Sequence, residues 1–254
     1  MKLKNGIYYE TFGNKQNTHI VLIHPAAVDS KIWKNLAQSL SEQYFIVIYD
    51  LRYHGNSIHD TDYKNDEHVN DLYSLVFHLN LQNPIICGFS MGGIIAQKYS
   101  EIYSPNLVIL IGSPTYSILP NFNFIRYLSK LLINNLILFF WPGSLKYLIN
   151  ALFKSFNDEL KKYILKIAIK NGKYSFLKDV ELIIDFNGAN ISNKTRVVCV
   201  IGEFDDKRVF KHAIFMQDKK KSEIITIKNA YHVPHIENEN LFKNKFKEII
   251  GKYA

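Results

Sequence analysis

Cysteine is scarce in this sequence, long apolar runs are missing, and so are repeats and low-complexity blocks; each shortage removes a class of protein. The two cysteines, Cys87 and Cys199, sit far apart, each inside a run of β-branched residues. That excludes a disulfide scaffold and a thiolate zinc site, and predicts two buried small hydrophobes in a reducing compartment. No His-x-His or His-Glu-x-x-His spacing occurs, and Gly92-Gly93 lacks the further glycine spacing of a phosphate-binding loop. No metal and no cofactor are therefore expected. The greasiest run, Leu131 to Trp141, is interrupted by Asn134 and Asn135 and is about half of what a bilayer crossing needs, so stable membrane insertion is not expected. The opening Met1-Lys2-Leu3-Lys4-Asn5-Gly6 lacks the apolar stretch of a secretory signal, which predicts a cytoplasmic chain.

Charge of one sign is in modest surplus. A net charge of +8 permits loose attraction to anionic partners. Apart from Lys219-Lys220-Lys221, read here as a solvated loop, the basic residues are scattered, and no helix carries them in a stripe with interleaved aromatics. Nucleic acid is not an expected partner.

What is present is the composition of a folded domain: 254 residues, 47% hydrophobic and 21% charged. That is enough for one large core with an insertion. Short β-branched runs alternate with amphipathic stretches, the pattern of parallel strands joined by crossover helices. Strands are predicted at 6–12, 19–24, 44–49, 84–88, 107–112, 195–201 and 223–227. Val69, Leu72, Val76 and Leu79 recur at helical spacing, as do Leu241, Phe242, Phe246, Ile249 and Ile250. The rhythm breaks between β-like runs after residue 113. Aromatic and leucine-rich helical stretches follow at 124–136, 145–156 and 159–169, punctuated by Pro142-Gly143. The chain therefore divides into a core, 1–113 with 190–254, and a helical insertion, 114–189, expected to lie over the strand ends as a lid.

Residues 84–93, Pro-Ile-Ile-Cys-Gly-Phe-Ser-Met-Gly-Gly, read as a buried strand running through Gly88-Phe89-Ser90-Met91-Gly92 into a helix. A serine pinched at such a turn needs near-absent side chains two positions before and after it, because the helix backbone returns within contact of the strand. The turn exposes the hydroxyl and aims the first N–H groups of the helix, that of Met91 foremost, at an oxyanion. The G-x-S-x-G pattern by itself arises by chance in roughly one chain of this length in ten. A serine nucleophile also needs a histidine to take its proton and a carboxylate to orient that histidine. Val197–Ile201 reads as a strand ending in Gly202-Glu203-Phe204-Asp205-Asp206, and the loop after the last strand holds Tyr231-His232-Val233-Pro234-His235-Ile236-Glu237. Both fall at carboxyl ends of strands, where sites in open α/β sheets collect.

Together these segments resemble the α/β-hydrolase superfamily, in its small form with an inserted helical cap. The family's oxyanion loop, His-Gly running to Trp, is matched by His24 to Trp33; its Asp-x-Arg-Gly-x-Gly-x-Ser loop by Asp50 to Ser57. The serine elbow falls on Gly88 to Gly92, the acid turn on Gly202 to Asp205 and the histidine turn on Tyr231 to Glu237. The resemblance implies a mostly parallel α/β sheet with helices on both faces. It also implies Ser90 as nucleophile, Asp205 as orienting acid and His232 as base, with the backbone N–H groups of Ala26 and Met91 as oxyanion hole. Two departures stand out: Pro25 replaces the usual glycine and restricts the loop, and Tyr231 replaces the glycine before the histidine.

Rivals remain for each place. Asp206 could serve as the acid and His235 as the base; His212 reads as a surface residue, His24 and His54 as loop braces, Asp29 or Ser30 as a helix cap, and Asp50 with Arg52 as stitches in their loop. A serine at position 90 argues against the dehalogenase and epoxide-hydrolase branches, which need a carboxylate nucleophile. The implied activity is that of a carboxylesterase, lipase or lactonase acting on a small-molecule ester or acyl substrate with an apolar moiety. Alternatives on the same fold are a lyase like that of the menaquinone pathway, a carbon–carbon bond hydrolase, an amide-cleaving peptidase, or a small-molecule receptor with vestigial catalysis. A histidine base predicts activity that fades as pH drops below about 6 to 7.

Overall fold

The computed structural model describes residues 1–57, 67–118, 132, 135, 141, 143–152 and 158–253. Seven strands form one sheet, β1 (Tyr9–Phe12), β2 (Thr18–Ile23), β3 (Tyr44–Tyr49), β4 (Ile85–Phe89), β5 (Leu107–Ile111), β6 (Arg196–Gly202) and β7 (Glu223–Ile227), in the order β1-β3-β2-β4-β5-β6-β7. Only β1 runs antiparallel, with Tyr9 opposite Tyr49; every other pairing is parallel. The first strand starts later than position 6 because a tight turn takes up the preceding backbone: Gly6 N–H donates to Leu3 and Leu3 N–H to Ile7.

The central strands are apolar on both faces, as strands covered from two sides must be. Ile20, Leu22, Ile46, Ile48, Cys87 and Ile109 face α1 (Lys34–Leu40) and the last helix, α8 (Glu239–Tyr253), through Leu36, Leu40, Phe242 and Phe246. Their neighbours Val21, Ile23, Val47, Ile86 and Val108 point the other way. There they meet α2 (Glu67–His78), α3 (Met91–Tyr103) and α7 (Lys207–Lys220) through Leu72, Leu75, Ile94, Ile95 and Met216. Both cysteines are free and buried in this sheet.

Three described helices are inserted between β5 and β6: α4 (Gly143–Leu152), α5 (Asp158–Asn171) and α6 (Lys173–Asp185). The first two correspond to predicted stretches. The predicted stretch 124–136 lies outside the described residues except for Leu132 and Asn135, as does most of the apolar run to Trp141. Helix α6 has no counterpart in the sequence reading. Its buried positions include Ser175 and Asp179 beside Leu177 and Leu182, so polar groups interrupt the apolar stripe that would reveal it. The lysine triplet also differs from expectation: Lys219 and Lys220 form the last turn of α7 and Lys221 is its left-handed cap, a place where cations complement the carbonyl end of the helix. Among the described residues no helix is long and apolar enough to cross a membrane.

Candidate active site

The elbow is set by backbone contact. Ser90 lies between the end of β4 and the start of α3 with φ 49 and ψ −114, a conformation that costs a residue with a side chain about 1–3 kcal/mol. A Cβ at Gly88 would overlap the Gly92 carbonyl, and one at Gly92 would overlap the carbonyl of Ile23 on β2. Hydrogen bonds hold the turn: Ser90 N–H donates to Ile111 O at 2.8 Å, while Ser90 O accepts from Gly93 N–H at 3.0 Å and from Ser113 Oγ at 2.9 Å.

Two strands away, the turn after β6 carries Asp205. Phe204 N–H bonds Ala230 O at 2.9 Å, which ties this turn to the loop bearing His232. The Asp205 carboxylate is 2% exposed, and its two oxygens lie 3.0 and 3.1 Å from His232 Nδ1. A carboxylate at Nδ1 makes that nitrogen the donor and leaves Nε2 of a neutral ring as the acceptor. The loop is braced on either side of the imidazole, since Glu237 accepts from Tyr231 N–H at 2.9 Å and Val233 N–H at 3.0 Å. Burial raises the Glu237 pKa against the opposing pull of those two hydrogen bonds. Gly112, at φ 49, leaves room for the ring, because a Cβ there would sit 2.9 Å from His232 Cε1.

The rivals sit elsewhere. Asp206 is exposed; it caps α7 and grips the Arg208 guanidinium at 2.9 Å through each oxygen. Those hydrogen bonds from Arg208 hold its carboxyl down at about 2. His235 is buried against the Trp33 ring, centroids 4.2 Å apart, with neither ring nitrogen hydrogen-bonded. Burial pushes its pKa down to about 3. His212 corrects the expectation of a surface residue. It is buried under Tyr116, and its Nδ1 accepts from Thr115 N–H at 3.1 Å, with burial lowering its pKa to about 4. Helix α7 turns this face toward the backbone leaving β5, and a single basic-looking helix sequence hides that.

The loop after β2 completes the site. His24 is fully enclosed; its Nδ1 donates to Pro25 O at 2.7 Å and its Nε2 accepts from Leu51 N–H at 3.0 Å. Burial, then the neighbouring His54, keep its pKa well below the ordinary value. Asp29 caps the short turn Ser30–Trp33 through Lys31 N–H. Asp50 accepts from Ser30 N–H at 2.9 Å and Asn56 N–H at 2.8 Å, while Arg52 pairs with Asp71 at 2.7 Å and with Glu67. Both brace their loop, as do the two histidines. Ser90, His232 and Ala26 border one cleft, while Met91 heads α3 behind the serine. The cleft walls are apolar: Val28, Ile32, Phe89 and Val233 from the core, Leu160 and Ile164 from α5. Among the described residues no three His, Cys, Asp or Glu side chains cluster as a metal site would require.

A family model for the α/β hydrolase fold matches residues 18–135. The chain is 29% identical over 113 residues, 41% of its length and 42% of the relative's, to 3-oxoadipate enol-lactonase 2 of Acinetobacter baylyi. In that relative and two further curated ones the match spans only 42%, 31% and 37% of their own length. Among solved structures, a thermophilic esterase from Thermogutta terrifontis superposes with TM-score 0.82 at 18% identity, covering 97% of this chain and 93% of that one. A bromoperoxidase from Bacillus anthracis gives TM-score 0.82 at 19% identity over 96% and 95%. The chain has the fold of the α/β hydrolases.

Proposed function

We propose that this chain is a serine hydrolase that cleaves a carboxylic ester, or a related acyl bond such as a lactone, through an acyl-enzyme on Ser90. The observation that carries the reading is the Asp205–His232 hydrogen bond, with His232 and the strained Ser90 bordering the same cleft. Ser90 Oγ attacks the carbonyl carbon while His232 Nε2 takes its proton. The N–H groups of Ala26, in the loop after β2, and of Met91, at the N-terminus of α3, meet the oxyanion, a role to which a helix N-terminus suits Met91. Collapse of the adduct expels the alkoxide, which receives the proton from His232; water then repeats the cycle on the acyl-enzyme.

The segment 114–189 acts in this reading as a cap, with Leu160 and Ile164 of α5 receiving the acyl group. The wall residues favour a neutral, apolar acyl moiety, processed without cofactor by a cytoplasmic enzyme. Relatives described as an enol-lactonase and an esterase support this substrate class. A series of p-nitrophenyl esters of increasing acyl length, run beside lactones and amides, tests it. Expected is a clear optimum in apolar acyl length, since apolar walls line the cleft, and a fall in kcat of about 10⁴-fold or more in Ser90→Ala. Turnover by Ser90→Ala near the wild-type rate contradicts the assignment; a wild type inert to every ester and lactone contradicts the reaction class.

A further inference from the structure

We propose that Asp179, on the inserted helix α6, is the positioning residue that holds the oxyanion loop in register with Ser90, an inference that builds on the serine-hydrolase reading. Asp179 Oδ2 receives two donors from different parts of the core: Ala27 N–H at 2.8 Å and His54 Nε2 at 3.1 Å. Ala27 has φ 66, a left-handed conformation that an alanine does not hold unaided. Fixing its N–H fixes the peptide plane adjoining Ala26, whose own N–H is one of the two oxyanion donors. The carboxylate thus acts on the loop from the inserted helix α6.

The pair is sealed. The His54 and Asp179 side chains are 1% and 2% exposed. His54 Nδ1 lies 2.9 Å from the Arg52 carbonyl, to which it can only donate, so a donor at Nε2 requires the doubly protonated ring. Burial opposes that charge, but the Asp179 carboxylate, its hydrogen bond, the Arg52 carbonyl and the charge of Asp50 outweigh it and raise the His54 pKa. Ser175 Oγ stands 3.1 Å from the same nitrogen, and the ring of His24 packs edge-on at 4.9 Å. The insertion reaches the same loop at two further points, Asn171 Nδ2 to Val28 O at 3.2 Å and Tyr163 OH to Asp29 Oδ1 at 3.1 Å. Neither holds the strained residue itself, which leaves Asp179 as the tie that governs Ala27.

The test is Asp179→Asn, which keeps the volume and removes the charge, assayed on the best p-nitrophenyl ester. We expect kcat to fall about 10- to 100-fold, in the range of a weakened oxyanion donor, with KM within about twofold. Affinity for a trifluoromethyl ketone, which forms a tetrahedral adduct on serine, should fall in parallel, while inhibition by the carboxylate product stays unchanged. His54→Gln is the second variant, should the first not fold, with a parallel fall of about threefold or more in kcat and ketone affinity. A folded variant of either kind with both values within twofold of wild type overturns the inference. If Ser90→Ala stays active, the serine reading has failed and takes this one with it; if Ser90→Ala is dead and the Asp179 variant unimpaired, only the positioning role has failed.

Discussion

The two halves of the site are built by different means. At Ser90 the geometry is enforced by main chain: Gly88 and Gly92 leave no space for a Cβ, and neighbouring strands supply the hydrogen bonds. At Ala27 to Asp29 the loop is held by side chains from the insertion, Asp179 on Ala27 above all. A backbone-enforced turn has no alternative packing and stays fixed while the fold lasts. A side-chain-held loop can be misplaced without unfolding anything. In the proposed reading, placement of the nucleophile belongs to the sheet, while placement of the oxyanion donor depends on the inserted segment.

The largest expected effect is chemical. Ser90→Ala should lower kcat about 10⁴-fold or more while leaving the melting temperature nearly unchanged, as steady-state assays and calorimetry would show. A large loss of stability instead would mean that the hydroxyl serves the fold. Next comes Gly92→Ala, which forces a methyl group into the Ile23 carbonyl and should destabilise the protein by about 3 kcal/mol or more. Urea titration checks this. A stable, active Gly92→Ala protein would erase the contrast between the two halves.

His235, His212, His24 and His68 all have lowered pKa values because burial disfavours the charged ring. Their folded values lie below the unfolded value of about 6.5, so their contribution to stability is complete above that pH and is lost as pH falls toward the folded values. His54, with its raised pKa, works in the opposite sense. Stability should therefore drop between about pH 6.5 and 4. His235→Phe, which removes two unbonded nitrogens from an aromatic pocket, should recover about 1–3 kcal/mol at pH 4. Urea midpoints of the two proteins across pH 4 to 7 measure it, and identical acid profiles would contradict it.

The smallest effect sharpens the role of the insertion. Leu160→Ala enlarges the apolar wall contributed by α5 and should move the preferred acyl chain to greater length. The change in kcat/KM ratio is expected to be about tenfold, the scale of one or two methylenes in a pocket. An unchanged chain-length profile would place the acyl group elsewhere in the cleft.

The asymmetry between the halves also explains what a reader of the sequence can find. The elbow is legible because its requirements are local: two glycines at fixed distance from a serine, between an apolar strand and a helix. The Asp205 and His232 turns are legible because each follows a β-branched strand, and the structure brings their side chains together. The sheet, with apolar runs of ordinary length, can be read strand by strand. The ties on the oxyanion loop cannot, because Asp179, Asn171 and Tyr163 lie 152, 143 and 134 positions from their partners. Asp179 also sits on a helix face whose polarity erases the periodicity that would mark it as buried. His212 is hidden for the same reason, a polar side chain satisfied in the interior by a backbone N–H.

The proposed mechanism requires a covalent bond between the acyl group and Ser90. Acid quenching within the first turnover of p-nitrophenyl butyrate, followed by intact-mass and peptide analysis, tests it most directly. The predicted result is one butyryl group on the peptide carrying Ser90, appearing with the burst of p-nitrophenol and absent from Ser90→Ala. An unmodified Ser90 peptide after that first equivalent of p-nitrophenol has been released would contradict it.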